Sequence, residues 1–280
     1  MVNFFDTPEI NSDTYFQAAS KWFQGEDSLR QARALIDGEI KENDLWESFQ
    51  KFGLIEMMAT ETNDVERAKI FSGVCRAAGR DLYIGPVWIR PDLLGQPSEF
   101  DHPQADGTGQ HWQSHIYFLK PLSGLSEKAN LLELSHLQLL GNCARLIGVG
   151  EQVISLSTEH LKTRHQFGTS LASFQALQHA TVNQYTDLVL AGSLLSQLVA
   201  NWADVHLRVS ALHALKVSSI SASINACDHS VQMLGAMGFT HDCDVGLYLR
   251  HALTLAARHG SVLAHRQKFT QCEVNFLTDQ

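Results

Sequence analysis

The sequence predicts a mainly α protein: a bundle of four long helices over residues 131–280, a smaller helical domain over 1–91, and a shortened segment over 92–130 between them. Three observations carry this. Pro86, Pro91, Pro97, Pro103 and Pro121 crowd one stretch and no proline follows Pro121, so the long tail holds no residue that breaks a helix by its ring geometry. Within that tail apolar side chains recur at helical spacing, as at Leu171, Phe174, Leu177, Tyr185 and Leu188. The stretch from Asp92 to Gly124 is instead rich in Pro, Gly, Asp and Gln.

In chain order, Leu45, Trp46, Phe49, Phe52 and Leu54 form an apolar stripe that stops at Gly53, a helix-ending residue. The middle segment offers one strand-like run, Trp112 to Leu119, and so a loop with a hairpin at most. Four long helices are then expected near 131–163, 171–202, 205–234 and 244–269. Breaks are placed at Gly168-Thr169-Ser170, around Asp204, and from Gly235 to Asp244.

Composition removes several function classes. The chain has 30 acidic and 21 basic residues, a net charge of -9, with no clustered Lys and Arg to meet phosphate backbones, so nucleic acid is not an expected partner. No run approaches the roughly 18 apolar residues of a membrane span, and Met1-Val2-Asn3-Phe4-Phe5-Asp6 lacks the basic and apolar parts of a secretory signal, so a cytoplasmic protein is expected. Five cysteines are scattered without a Cys-x-x-Cys pair, which indicates neither a disulfide framework nor a zinc site. His241-Asp242-Cys243-Asp244 reads as a polar turn, because a ligand set needs side chains converging on one point, and no metal is expected. Asp228-His229-Ser230 lies inside a helix, where consecutive side chains diverge, and is no triad.

Two runs carry chemistry. Lys162-Thr163-Arg164-His165-Gln166-Phe167-Gly168, followed by Phe174-Gln175-Ala176-Leu177-Gln178-His179, joins one long helix to the next. An arginine fork and a glycine turn at a helix N-terminus suit an anion, although an ordinary interhelical turn with a solvated arginine has the same residues. The second run, Val231-Gln232-Met233-Leu234-Gly235-Ala236-Met237-Gly238-Phe239-Thr240, ends the third long helix, with Tyr248-Leu249-Arg250 after it. Its small residues let a ligand or backbone come close, or simply cap the helix.

Together, in this order and spacing, the runs resemble the signature of the acyl-CoA dehydrogenases: Arg-x-x-Phe-Gly, Phe-Gln-x-x-Gln-His, Gln-x-x-Gly-Gly-x-Gly-Phe, then Tyr/Leu-x-Arg. The resemblance covers about 131–266, and more weakly 41–62. It implies that family's C-terminal helical bundle, a flavoprotein fold in which these motifs reach across a subunit interface to the pyrophosphate and adenosine end of a neighbour's FAD. Matched residue by residue, it implicates Arg164, Gln166, Phe167, Gln232, Gly235 and Ala236 in cofactor binding. Ala236 stands for the second glycine of the motif, and Ser170 for a usual proline.

Other departures bear on the chemistry. The 92–130 window has room for a hairpin and not for the family's middle β-barrel, and no counterpart of its Thr-Glu-Pro or Gly-Ser-Asp motifs is present. The family abstracts an α-proton with a glutamate while a β-hydride passes to FAD. Along the matching pattern that glutamate becomes His259, in His259-Gly260-Ser261. The other position a base takes in the family falls near Gln138, and Glu133 lies on a different face. Histidine can act as a base, so His259 is the one catalytic candidate.

Three readings follow. In the first the chain is a degenerate oligomer-forming partner of a full-length acyl-CoA dehydrogenase, sharing its FAD, in oxidation of CoA thioesters such as those of fatty acids or steroid side chains. In the second it is a self-sufficient oxidoreductase acting on an acyl-CoA thioester through His259. In the third it is a helical scaffold that binds no flavin. A homo- or hetero-oligomer is expected from the several apolar faces of the long helices.

Overall fold

The computed structural model describes residues 14–85, 87, 127–240 and 242–278. The expected middle segment, with its Trp112 to Leu119 run, thus lies outside the described residues except for its last turn. The described chain is helical apart from one short hairpin.

Five helices build the first part: α1 (Thr14–Gly25), α2 (Ser28–Ile36), α3 (Glu42–Gln50), α4 (Leu54–Thr60) and α5 (Asp64–Arg80). The predicted stripe is real, with Leu45, Trp46, Phe49 and Leu54 buried. Phe49 stacks on Phe23 at 6.0 Å and on Tyr83 at 5.4 Å between centroids. Gly53, at φ 78°, starts α4 in a left-handed conformation open to glycine at little steric strain. Asn63 caps α5 by accepting from the N–H groups of Val65 (2.9 Å) and Glu66 (3.2 Å).

The second part begins with α6 (Glu127–Thr163), whose residues from His136 to Gly150 are all buried. A two-residue hairpin, β1 (His165–Gln166) with β2 (Thr169–Ser170), and one 3-10 turn lead to α7 (Gln175–Ala200). Next come α8 (Val205–Leu234), a 3-10 turn over Gly235–Phe239, α9 (Asp244–Ala257) and α10 (Val262–Thr278). Asp204 caps α8 through the N–H groups of His206 (3.0 Å) and Leu207 (3.1 Å), where the sequence places a break.

The expected helix over 244–269 is in fact two helices. His259 at φ 63° and Gly260 at φ 108° turn the chain out of the helix, and Ser261 Oγ accepts from the Ala264 N–H (3.2 Å) to start α10. Glycine as a terminator followed by serine as a cap is a legible signal, masked here by the continuous helical spacing around it.

Two contacts fix how the parts meet. Where α5 crosses α6, a Cβ on Gly79 would land on the Arg145 carbonyl oxygen, and one on Gly148 on the Arg76 carbonyl oxygen. The glycines let the two backbones touch, and the apolar core continues across the crossing from Phe16 to Leu255. Between α6 and α8, Lys216 Nζ donates to Asn142 Oδ1 (2.6 Å), Ser223 Oγ to the Leu146 carbonyl (2.6 Å) and Ser230 Oγ to the Val153 carbonyl (3.1 Å). Residue numbers rise together along both helices, so α6 and α8 run parallel. Lys216 Nζ also donates to the Leu255 carbonyl (3.0 Å), and α9 begins beside the Gly235–Phe239 turn, so α9 runs antiparallel to α8.

Candidate functional site

The parallel pair sorts the candidate residues to two ends. Arg164 through Phe167 follow the C-terminus of α6, and Gln232, Gly235 and Ala236 lie at the C-terminus of α8, so the two motif runs gather at one end. His259 follows α9, whose final turn is tied to Lys216. From Lys216 to Leu234 is about 27 Å at roughly 1.5 Å per residue. Within one chain, therefore, His259 stands far from the two motif runs.

At the motif end, Arg164 is pinned by its backbone: its N–H donates to the His160 carbonyl (2.8 Å) and its carbonyl accepts from Leu171 N–H (2.9 Å). Its side chain is exposed, and it forms no ion pair with a described carboxylate. Phe167 (φ 54°) and Gly168 (φ 81°) make the tight two-residue turn of the hairpin, both in the left-handed region that such turns demand. Phe167 projects 89% exposed, edge-on to Phe174, and Gln166 is exposed beside it. The start of α7 has no side-chain cap, because its N-cap is Phe174, which leaves N–H groups of its first turn for another acceptor.

Gln232 and Ala236 are exposed too. Gly235 has φ 64° and ψ -141°, a conformation that side-chain-bearing residues rarely adopt, yet a Cβ there would meet nothing within 4 Å. The glycine thus serves the turn and leaves the space in front of it open. Phe239, 82% exposed, and Met237 extend the apolar surface beyond it.

The other end holds a cluster that the sequence reading missed. Lys216, with no exposed surface, lies against Asn142, and burial lowers its pKa to about 8, with Arg258 adding repulsion. His213 Nδ1 and His265 Nδ1 are 2.9 Å apart, and His265 Nε2 is 2.9 Å from the His259 carbonyl oxygen. A carbonyl only accepts, so His265 donates from Nε2, and its Nδ1 must accept from His213. Burial, then Lys216, Arg258 and His265, hold His259 down at about 4. Gln138, the other position at which the resemblance would set a base, is buried on α6 at this same end. The overlooked signal was Lys216 itself, a cation flanked by Leu215 and Val217 in a helix whose buried face also carries Arg208, Ser219 and Ser223. A charged residue in a helix ordinarily reads as a solvated face.

Among the described residues no group of three or more His, Cys, Asp or Glu could hold a metal ion, and no helix is long and apolar enough to cross a membrane. All five cysteines are free thiols.

Comparison with known proteins matches residues 137–267 to the family described as acyl-CoA dehydrogenase, C-terminal domain. Acyl-CoA dehydrogenase IpdE2 of Mycobacterium tuberculosis is 28% identical over 118 residues, 42% of this chain and 34% of its own length. Acyl-CoA dehydrogenase FadE34 of the same organism is 30% identical over 114 residues, 39% of this chain and 16% of its own. The chain thus spans about a third or less of the length of these curated relatives. One solved chain, from the steroid ACAD Tcur3481-Tcur3483, shares the fold over 94% of this chain and 98% of its own, with a TM-score of 0.73 at 16% identity.

Proposed function

We propose, from the membership of residues 137–267 in the acyl-CoA dehydrogenase C-terminal domain family, that this chain is a subunit of an acyl-CoA dehydrogenase complex and lends one wall to a FAD held with a partner. The observation that carries the reading is the sorting of the two ends. Arg164, Gln166, Phe167, Gln232, Gly235 and Ala236 share one end, about 27 Å from the positions where the family keeps a base. A cofactor gripped by those residues would meet its base on another chain. The base positions of this chain hold Gln138 and His259, and a histidine held near 4 is a weak proton acceptor at neutral pH.

The residues at the motif end fit a dinucleotide's phosphates. Arg164 brings an exposed guanidinium with no ion pair among the described residues, the start of α7 brings uncapped N–H groups, and Gly235 leaves open space for close approach. Gln166 and Gln232 present amides, and Phe167 offers a ring that would shield the cofactor from water. Bound FAD would supply hydride acceptance from the β-carbon of a CoA thioester. The likeness in length and fold to a steroid ACAD chain supports an assembly of short and full-length chains, and makes a steroid side-chain thioester the first substrate to test.

Purification alone, and then with a full-length partner, tests the reading by visible absorption. Flavin is expected only in the complex, and Arg164→Ala should weaken its binding by about one to two decades, the loss of a charge-assisted contact worth roughly 1.5–3 kcal/mol. A chain that is yellow by itself and bleached by an acyl-CoA would overturn the proposal in favour of a self-sufficient enzyme.

A further inference from the structure

Helix α10 is attached to the bundle in an unusual way. Of its described side chains only His265 is buried, 2% exposed, while Leu263, Val274 and Phe276 face outward. The helix lies antiparallel on α8, with His265 against His213 and Glu273 accepting from Ser210 further along. An apolar anchor is what burial normally selects at such a point; here the anchor is titratable.

Both nitrogens of His265 are committed. Nε2 donates to the His259 carbonyl within the α9–α10 turn, and Nδ1 accepts from His213 Nδ1. A first proton on His265 Nδ1 moves the His213 proton to Nε2 and reverses the hydrogen bond, whereas with both rings protonated two N–H groups oppose each other at 2.9 Å. A proton added to His213 at its other nitrogen keeps the hydrogen bond but places a new cation in cationic company. The groups acting on the pair are Lys216 of α8, Lys268 of α10, His136 of α6 and the His259 carbonyl, with Arg208 acting on His136 and Arg258 on His259 around them. Among the described residues no carboxylate pairs with either ring.

We infer that the His213–His265 pair is an acid-sensitive latch, and that proton uptake frees α10 from α8 while the buried α5–α6–α8 core stays folded. The sign follows from linkage. Burial holds His213 at about 4 and pushes His265 below its ordinary 6.5, whereas in a detached α10 both rings bind protons at their ordinary value. The docked state is therefore favoured in full above pH 6.5, and the advantage is lost as pH falls towards 4. Each proton taken up shifts the docking equilibrium by up to about tenfold per pH unit, so two shift it by up to about a hundredfold.

Hydrogen–deuterium exchange from pH 7.5 to 5, corrected for the intrinsic pH dependence of amide exchange, reads the latch directly. Peptides from 262–278 should lose protection steeply below pH 6.5, while those from 136–150 hold theirs. In His213→Asn with His265→Gln, side-chain amides replace the imidazole donors without titrating, and α10 protection should become independent of pH. A wild-type α10 with constant protection over this range, or a double variant that opens with the same pH dependence, would overturn the inference. Should the double variant fail to dock α10 at any pH, NMR titration of the wild-type imidazoles decides. Two rings titrating below about pH 5.5 support the latch, and rings titrating near 6.5 with α10 still docked refute it.

Discussion

Lys216 shows what one buried charge does to the behaviour of the protein. Its ammonium is lodged between Asn142 and the last turn of α9, without exposed surface, and burial lowers its pKa from 10.5 to about 8. The unfolded chain keeps that proton up to about pH 10.5, so this group favours folding more as pH rises from 8 towards 10.5. Urea melts of the wild type and Lys216→Met at pH 7.5 and 9.5 should differ by about 2 kcal/mol more in the wild type's favour at the higher pH. The buried thiols Cys75 and Cys227 are common to both proteins and cancel in the comparison, and Cys143, which Lys216 touches electrostatically, is raised by burial to about 11 and stays protonated at both pH values. Gly235 makes the opposite point, since its demand is conformational. Gly235→Ala meets no atom yet must adopt φ 64°, and should lose on the order of 1–3 kcal/mol in a thermal melt. The glycine was legible from its place at the end of an apolar run; the lysine was not, because a sequence does not say which face of a helix is covered on all sides.

At the scale of elements, the α5–α6 crossing depends on two glycines that each face the other helix's backbone. Gly79→Ala or Gly148→Ala would force the helices apart, at about 1–3 kcal/mol or more. Gly192→Ala in α7 is the control: nothing lies within 4 Å of its missing Cβ, and alanine should stabilise that helix by about 0.5–1 kcal/mol. Calorimetric melting of the three variants separates contact from propensity. Helix α8 was legible over its full length because Asp204 and Gly235 bound an unbroken apolar period. Gly79 and Gly148 were not read as partners, since periodicity reports that a helix has a face and is silent on which helix will cover it. The same limit hid the break at His259, where spacing around Gly260 and Ser261 overrode two terminal signals standing side by side.

For the whole molecule, the order of the motifs disclosed the likeness of residues 137–267 to the acyl-CoA dehydrogenase C-terminal domain, and long uninterrupted helices disclosed the bundle, since they leave few ways to arrange the chain. What the order did not disclose is the parallel run of α6 and α8, which puts the two motif runs at one end and the histidine–lysine cluster at the other. The N-terminal helices share the core of the bundle through the glycine crossing, so heating should give one transition in which calorimetric and van't Hoff enthalpies agree. Two separate transitions would mean that the crossing does not bind the parts into one cooperative unit. The buried guanidinium of Arg145 adds a practical consequence. It donates to the backbone carbonyls of Tyr83 and Gly85, just beyond α5. A truncated chain beginning at Glu127 would carry every family motif, but would leave a charged fork without those acceptors and a glycine-bared stripe of α6 open to water. Anyone seeking the smallest piece that still folds should keep the first helices, whose backbone completes the floor on which the bundle rests.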